Sequence, residues 1–259
     1  MKNCICEDHH PSIRQTPLLL PSDEEMLCRI ADLTVSVPTA DGLADRCAPY
    51  RCAEEQIPDI IIHADRYRAE RYDPRIRQST VAYMESAYQF YRQLLGFGGF
   101  YLHASAVAVD GKAYLFSGPS GMGKSTHTRL WQQVFGDRAI VFNDDKPALR
   151  YMDNQWYAYG TPWCGKDGIN QNMQVPLAGI CFLQQAGENR IRRLPVIQAL
   201  TRFLTQTIYK ELDAGEMGML MASADRLLRE IPVFELENRP EPAAVSLAYR
   251  TMSGSDLPV

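Results

Sequence analysis

No stretch of this chain approaches the roughly 18 consecutive apolar residues that a membrane-spanning helix needs. Its first ten residues, MKNCICEDHH, lack the basic segment and apolar core of a secretory signal. Both absences point away from a membrane and from export, and set the expectation of a soluble cytoplasmic protein. Positive charge is also in short supply. With 27 Lys and Arg against 31 Asp and Glu, the formal net charge is -4, so nothing draws the chain as a whole to a phosphate backbone and nucleic acid is not an expected partner. Zinc-ribbon spacing is missing too: the seven cysteines stand at 4, 6, 28, 47, 52, 164 and 181, an odd and scattered set that reads as reduced thiols. Cys4 and Cys6 with His9 and His10 do not form a recognised metal-binding spacing. Internal repeats and low-complexity segments are absent as well.

What is present is an ordinary globular composition, 46% hydrophobic and 22% charged over 259 residues, enough for one large domain with a smaller appendage. Residues 1–78 are rich in Pro, Arg and Asp with short strand-like pieces at 33–37 and 59–63, which predicts a small, loop-rich N-terminal α+β region suited to substrate recognition. Within it Arg66, Arg68, Arg71, Arg75 and Arg77 alternate with Asp65, Glu70 and Asp73. The expected reading of that run is a self-paired surface rather than a patch for an anionic partner.

From Ser79 the pattern changes. Val81, Met84, Tyr88, Tyr91 and Leu95 recur at spacings of three and four, the mark of one apolar helix face, and Gly96 ends it. Two strand-like runs, 101–109 and 113–117, flank Asp110-Gly111, a strong hairpin turn signal. Further strands are expected at 139–143, 179–184 and 233–236, and helices at 195–209, 216–230 and 241–252. The second unit, residues 79–259, is therefore predicted to be α/β.

Gly118-Pro119-Ser120-Gly121-Met122-Gly123-Lys124-Ser125 fits the phosphate-loop pattern G-x-x-x-x-G-K-[ST] at every fixed position. An apolar run leads into it and a helix-compatible run, 125–135, leaves it. Glycines let backbone N–H groups converge on an anion, and the helix start adds partial positive charge. In that frame Lys124 reaches the β- and γ-phosphates of ATP, Ser125 ligates Mg2+, and Thr126 supports the helix start.

Twenty positions after Lys124, the apolar run Ile140-Val141-Phe142 ends in Asn143-Asp144-Asp145-Lys146. Strand ends in a parallel sheet are where ligands sit, so two carboxylates there are expected beside the triphosphate. One would hold magnesium and the other accept a proton from an attacking hydroxyl. Adjacent strand residues point to opposite faces, so the spacing leaves open which does which. The working assignment sets Asp145 with Ser125 on the metal.

With those residues in view, the chain resembles the HPr kinase and phosphoenolpyruvate carboxykinase type of P-loop phosphotransferase. The likeness lies in the order of parts over residues 100–150: His103 in Leu102-His103-Ala104-Ser105, then the glycine loop, then a strand ending in Asp-Asp. The resemblance implies a P-loop kinase domain, ATP as phosphoryl donor, His103 near the transferred group, and Asp144 and Asp145 as base and metal partner. The Gly-Leu-Gly segment of HPr kinases is absent; Gly160-Thr161-Pro162-Trp163-Cys164-Gly165-Lys166 occurs instead. In that respect the chain is more similar to HPr-kinase-related proteins beside peptide-modifying systems, including kinases of lasso peptides. The implied acceptor is a serine of a peptide or protein.

Residues 160–166 could close over the substrate or form an ordinary turn. Arg190, Arg192 and Arg193 could offer charge to the phosphoryl group or decorate a solvated hairpin. Two other functions compete, a small-molecule or carboxykinase-like phosphotransferase and a non-catalytic ATP-binding switch or scaffold. The sequence leaves homo-oligomerisation and the choice between ATP and GTP open.

Overall fold

The computed structural model describes residues 24–53, 56–208 and 210–255. Cys4, Cys6, His9 and His10 lie outside the described residues. Strands β1 (Glu25–Ile30) and β2 (Leu33–Pro38), helix α1 (Leu43–Cys47) and the two-residue β3 (Ile60–Ile61) form a small N-terminal layer. β1 and β2 pair antiparallel, and β3 joins β2 in parallel. This three-stranded sheet buries Ile30, Val35, Val37 and Ile60 against α2 (Gln78–Leu94), sharing one apolar cluster with Phe90, Tyr91 and Trp163.

The second sheet is built from β4 (Gly99–Tyr101), β5 (Ala104–Val109), β6 (Lys112–Ser117), then, after α3 (Lys124–Phe135), β7 (Ala139–Asp145), β8 (Ala148–Met152) and β9 (Gln155–Tyr159). β10 (Gln174–Gln185), β11 (Arg190–Arg193), α4 (Val196–Leu204), α5 (Ala214–Glu230), β12 (Val233–Asn238) and α6 (Pro242–Ser253) follow. Its backbone order is β4-β8-β9-β10-β6-β5-β7, with β12 on β10 and β11 on β12. The long β10 curls the sheet: its first residues pair antiparallel with β9 and its last pair in parallel with β6 and β12. The fold is mixed α/β.

The central strands β5 and β6 are buried along nearly their whole length and mostly apolar because both faces are covered. Ala104, Ala106 and Ala108 of β5 and Leu115 of β6 face a core with Phe203 of α4 and Leu220 and Leu227 of α5. The alternate residues Val107, Val109, Tyr114 and Phe116 face Trp131 and Phe135 of α3 and Tyr249 of α6. This is the period of two that a β-strand imposes.

Several expectations change in detail. The run 101–109 is not one strand: β4 ends at Tyr101 on β8, and β5 begins at Ala104 on β6 and β7. At the crossing, the backbone N–H of His103 donates to Gln206 O at 2.7 Å instead of to a strand neighbour. The hairpin β5–β6 turns on Asp110 and Gly111, both with positive φ. Because it inserts β5 antiparallel between β6 and β7, the aspartate strand and the loop strand run the same way without being neighbours. The buried face of α2 is Val81, Ala82, Glu85, Ser86, Ala87, Phe90, Tyr91 and Leu94; of the expected face Val81 and Tyr91 are buried, whereas Met84 is 42% exposed. α4 stops at Leu204, short of the expected 209. α5 begins two residues early on a capping box in which Asp213 and Glu216 bond each other's backbone N–H.

Candidate active site

β6 delivers the chain at Ser117, residues 118–123 form a loop, and α3 starts at Lys124. Gly118 takes φ 146, and a Cβ there would lie 3.3 Å from Met122 Cγ and 3.4 Å from Leu183 O, so the loop's tight exit from the strand needs glycine. Pro119, Ser120 and Gly121 are exposed at its tip, Met122 and Gly123 are half-buried, and Thr126 is exposed in the first helical turn. Lys124 is buried, with Nζ donating to Gly118 O at 2.9 Å and Pro119 O at 3.2 Å. Burial lowers its pKa, against the pull of the Asp145 and Asp144 carboxylates.

The strand ends meet at this loop. Ala104 of β5 sits opposite Ser117 on one side and Asp145 on the other, so His103, one residue earlier, falls between the loop and the aspartates. Ser117 Oγ donates to His103 O at 2.9 Å. Asp144 and Asp145 both address the site because Asp145 has φ 150 and turns the backbone. A non-glycine residue there costs about 1–3 kcal/mol, strain of the kind that collects at functional sites.

The two carboxylates have different company. Ser125 Oγ donates to Asp144 Oδ1 at 3.0 Å. Asp145 Oδ1 lies 3.3 Å from His103 Nε2, and its Oδ2 accepts from Tyr83 OH at 3.1 Å and forms an ion pair with Lys146. The structure thus joins Ser125 directly to Asp144, whereas the working assignment set Asp145 with Ser125 on the metal. At the turn, the Asp145 carboxylate is taken up by His103, Tyr83 and Lys146. His103 Nδ1 stands 3.2 Å from Gln206 Oε1. Burial and the Lys124 ammonium push the His103 pKa down, while Asp145 pulls it up.

A wall supports the aspartates from behind. Asn143 is fully buried, donating to Thr161 O at 2.9 Å and accepting from the Lys146 backbone N–H at 3.0 Å. Residues 169–171 run beside the end of β7, where Asp144 N–H donates to Ile169 O and Gln171 N–H to Phe142 O. Gly165 N–H donates to Tyr83 OH at 3.1 Å. Trp163 is buried, stacked on Phe90 at 4.6 Å, with its indole N–H on Ser86 Oγ at 3.0 Å. Of the segment 160–166 singled out in the sequence, residues 160–164 are therefore packed wall and Lys166 is exposed.

Sequence reasoning missed Gln206, Tyr83 and Lys146. Lys146 follows the paired aspartates directly and was legible as a cation at the strand end; Tyr83 and Gln206 arrive only through tertiary packing. The arginines of β11 lie elsewhere: Arg192, with Arg202 of α4, clamps the buried Glu235. In the run 64–77 the pair Arg75–Asp73 is internal, whereas Arg68 reaches Glu85 of α2 and Arg68 and Arg71 reach Glu211, so these two arginines pair outside the run and not within it as expected.

Among the described residues no helix is long and apolar enough to cross a membrane. No curated protein matches the chain. Among solved structures, the chain is similar to the Hpr(Ser) kinase/phosphatase from Coxiella burnetii, with 14% identity, 60% of this chain and 93% of that one covered, and a TM-score of 0.33. A likeness so loose transfers no residue role. The match to the SynChlorMet cassette protein ScmC family spans residues 74–239, well over half of the chain and all of the site just described, and the chain belongs to that family.

Proposed function

We propose that this protein is an ATP- and magnesium-dependent kinase that transfers the γ-phosphoryl group to a hydroxyl, a serine of a peptide or protein. One observation carries the reading. A glycine loop between a strand and a helix brings Ser125 to 3.0 Å from Asp144, and the next residue, Asp145, faces His103 at 3.3 Å. Phosphoryl transfer asks for that division, oxygens for a metal on one side and a proton acceptor on the other.

The donor set suits magnesium. Ser125 and Asp144 offer two oxygens, and no group of three or more His, Cys, Asp or Glu able to hold a metal occurs among the described residues. A hard ion that takes the rest of its shell from phosphate and water fits such a pair better than one needing an all-protein cage. When bound, the ion would neutralise charge on the phosphate oxygens. The Lys124 ammonium, at the start of α3, is bonded to carbonyls of the loop that would surround the triphosphate. Asp145 would take the acceptor's hydroxyl proton as that oxygen bonds to the γ-phosphorus and the bond to the β–γ bridging oxygen breaks, releasing ADP. His103, tied to Gln206, would hold the Asp145 carboxylate in place.

The test is an acceptor screen. The protein is incubated with magnesium, γ-labelled ATP and a cell extract fractionated into peptides and metabolites, and the label is followed by mass spectrometry. Label on a peptide serine, absent with Lys124→Ala, is the expected result. Label confined to a small molecule would reassign the acceptor, and bound ATP with no labelled product would refute the kinase reading.

A further inference from the structure

Beside the aspartates opens a cavity of about 420 Å³ that the roles above do not use. Lys146 joins the two, because it lines the cavity and its Nζ is ion-paired with Asp145. One wall is aromatic: Tyr91 and Tyr101 pack at 4.7 Å, and Tyr72 and Tyr88 continue towards the N-terminal region. Met84, Arg71 and Lys210 carry it out to the surface. The cationic lining is Arg68, Arg71, Lys146 and Lys210, against a single carboxylate, Glu211.

That carboxylate shows what the cations can do. Arg71 Nη1 and Nη2 each donate to Glu211 at 2.6 Å, one to each oxygen, and Arg68 Nη1 adds a third bond at 3.0 Å. This is the two-pronged geometry in which arginine holds a carboxylate. The fork is preorganised: Arg68 Nε is fixed by the buried Glu85 at 3.0 Å, and its guanidinium lies 4.2 Å over the Tyr88 ring. Glu211 reaches it from a residue with φ 71, a left-handed conformation unusual for glutamate, and its side chain stays 41% exposed. A partly exposed carboxylate on an unfavoured backbone is one that an incoming carboxylate of the same geometry can replace.

We propose that this cavity holds the acceptor segment, and that the acceptor is an acidic peptide whose carboxylate exchanges with Glu211 on the Arg68–Arg71 fork. The proposal rests on the kinase reading for the acceptor's role, but the binding preference it asserts does not need phosphoryl transfer to occur. An extended peptide can follow the exposed rim of Met84, Arg71 and Lys210 while its hydroxyl reaches past Lys146 to Asp145. A small hydroxy acid would leave that rim unused.

The experiment measures binding of fluorescein-labelled peptides, each with one serine and either two glutamates, two glutamines or two lysines after it, to the full-length protein by fluorescence anisotropy, without nucleotide. The glutamate peptide is expected to bind at least ~10-fold tighter than the glutamine peptide, and the lysine peptide most weakly. Arg71→Ala should abolish the preference while ATP affinity stays unchanged, which also shows that the variant is folded. Glu211→Gln should tighten the glutamate peptide and not the glutamine peptide. Equal affinity for the three peptides, or a preference that survives Arg71→Ala, would overturn the proposal. So would a free hydroxycarboxylic acid that displaces the glutamate peptide at equal concentration. A retained preference with no phosphorylation under ATP and magnesium would leave the acidic-peptide site standing and sink the kinase reading, and with it the acceptor role.

Discussion

Replacing Glu85 by glutamine tests how the N-terminal region is fastened to α2. The Glu85 side chain is 1% exposed and accepts from Arg68 Nε at 3.0 Å, Arg68 Nη2 at 3.4 Å, Tyr72 OH at 2.7 Å and the Arg68 backbone N–H at 3.3 Å. Glutamine keeps the shape and one acceptor oxygen but removes the charge. A hydrogen bond to a charged group contributes about 1 kcal/mol more than a neutral one, so two strong bonds weakened together cost about 2 kcal/mol. The figure stays below that for breaking a fully buried pair because Arg68 is 30% exposed. At this chain length the loss corresponds to a Tm lower by about 4 °C. The effect should also depend on pH with a definite sign. Burial raises the Glu85 pKa, but the bonds from Arg68 and Tyr72 outweigh it and hold the carboxyl below its ordinary 4.5. The stabilisation is therefore full above that value and lost as pH falls below it, and the wild-type advantage over the Glu85→Gln variant should shrink on acidification. The assay is urea unfolding of wild type, Glu85→Gln, Arg68→Ala and the double variant at two pH values. Additive single effects would refute the pair as the fastening.

His127 is buried with neither ring nitrogen hydrogen-bonded to protein, and burial pushes its pKa from 6.5 down to about 3. The unfolded chain therefore binds a proton below pH 6.5 that the native state refuses, so stability is full above that pH and at pH 5.5 about 1.4 kcal/mol is lost; His127→Leu should flatten this slope in nucleotide-free unfolding curves. Gly165 has φ 75, and a Cβ there would lie 2.9 Å from Asp144 O and 3.3 Å from Asp145 Cβ. Gly165→Ala should cost about 1–3 kcal/mol and lower phosphoryl transfer more than it lowers ATP affinity, a split visible in steady-state kinetics.

Much of the site was legible because its chemistry is local. The glycine loop, the strand before it and the helix after it occupy one short stretch, and the turn Asp110-Gly111 announces the hairpin that brings His103 alongside. The unlike surroundings of Asp144 and Asp145 were not legible, since they depend on the φ of Asp145 and on Tyr83 and Lys146 approaching from one side. Tyr88 and Met84 have the spacing of a core face, yet they line the cavity, because Glu85 and Ser86 are drawn inwards by Arg68, Tyr72 and the Trp163 indole. Periodicity counts apolar residues and does not see a buried carboxylate with its own partners. The hairpin β8–β9 turns on Asp153 and Asn154, both with positive φ, a signal that was available in the sequence and not used. Gln206 could not be found from its neighbours in sequence: it meets His103 from more than a hundred residues away.

The most direct test of the account compares Asp144→Asn and Asp145→Asn for magnesium-dependent ATP binding and for transfer of γ-phosphate to the acceptor. The account predicts that Asp144→Asn weakens the magnesium dependence of nucleotide binding, whereas Asp145→Asn binds magnesium and ATP like wild type and transfers phosphate at least ~100-fold more slowly. Full transfer activity in Asp145→Asn, or a loss of magnesium-dependent binding confined to Asp145→Asn, would contradict it.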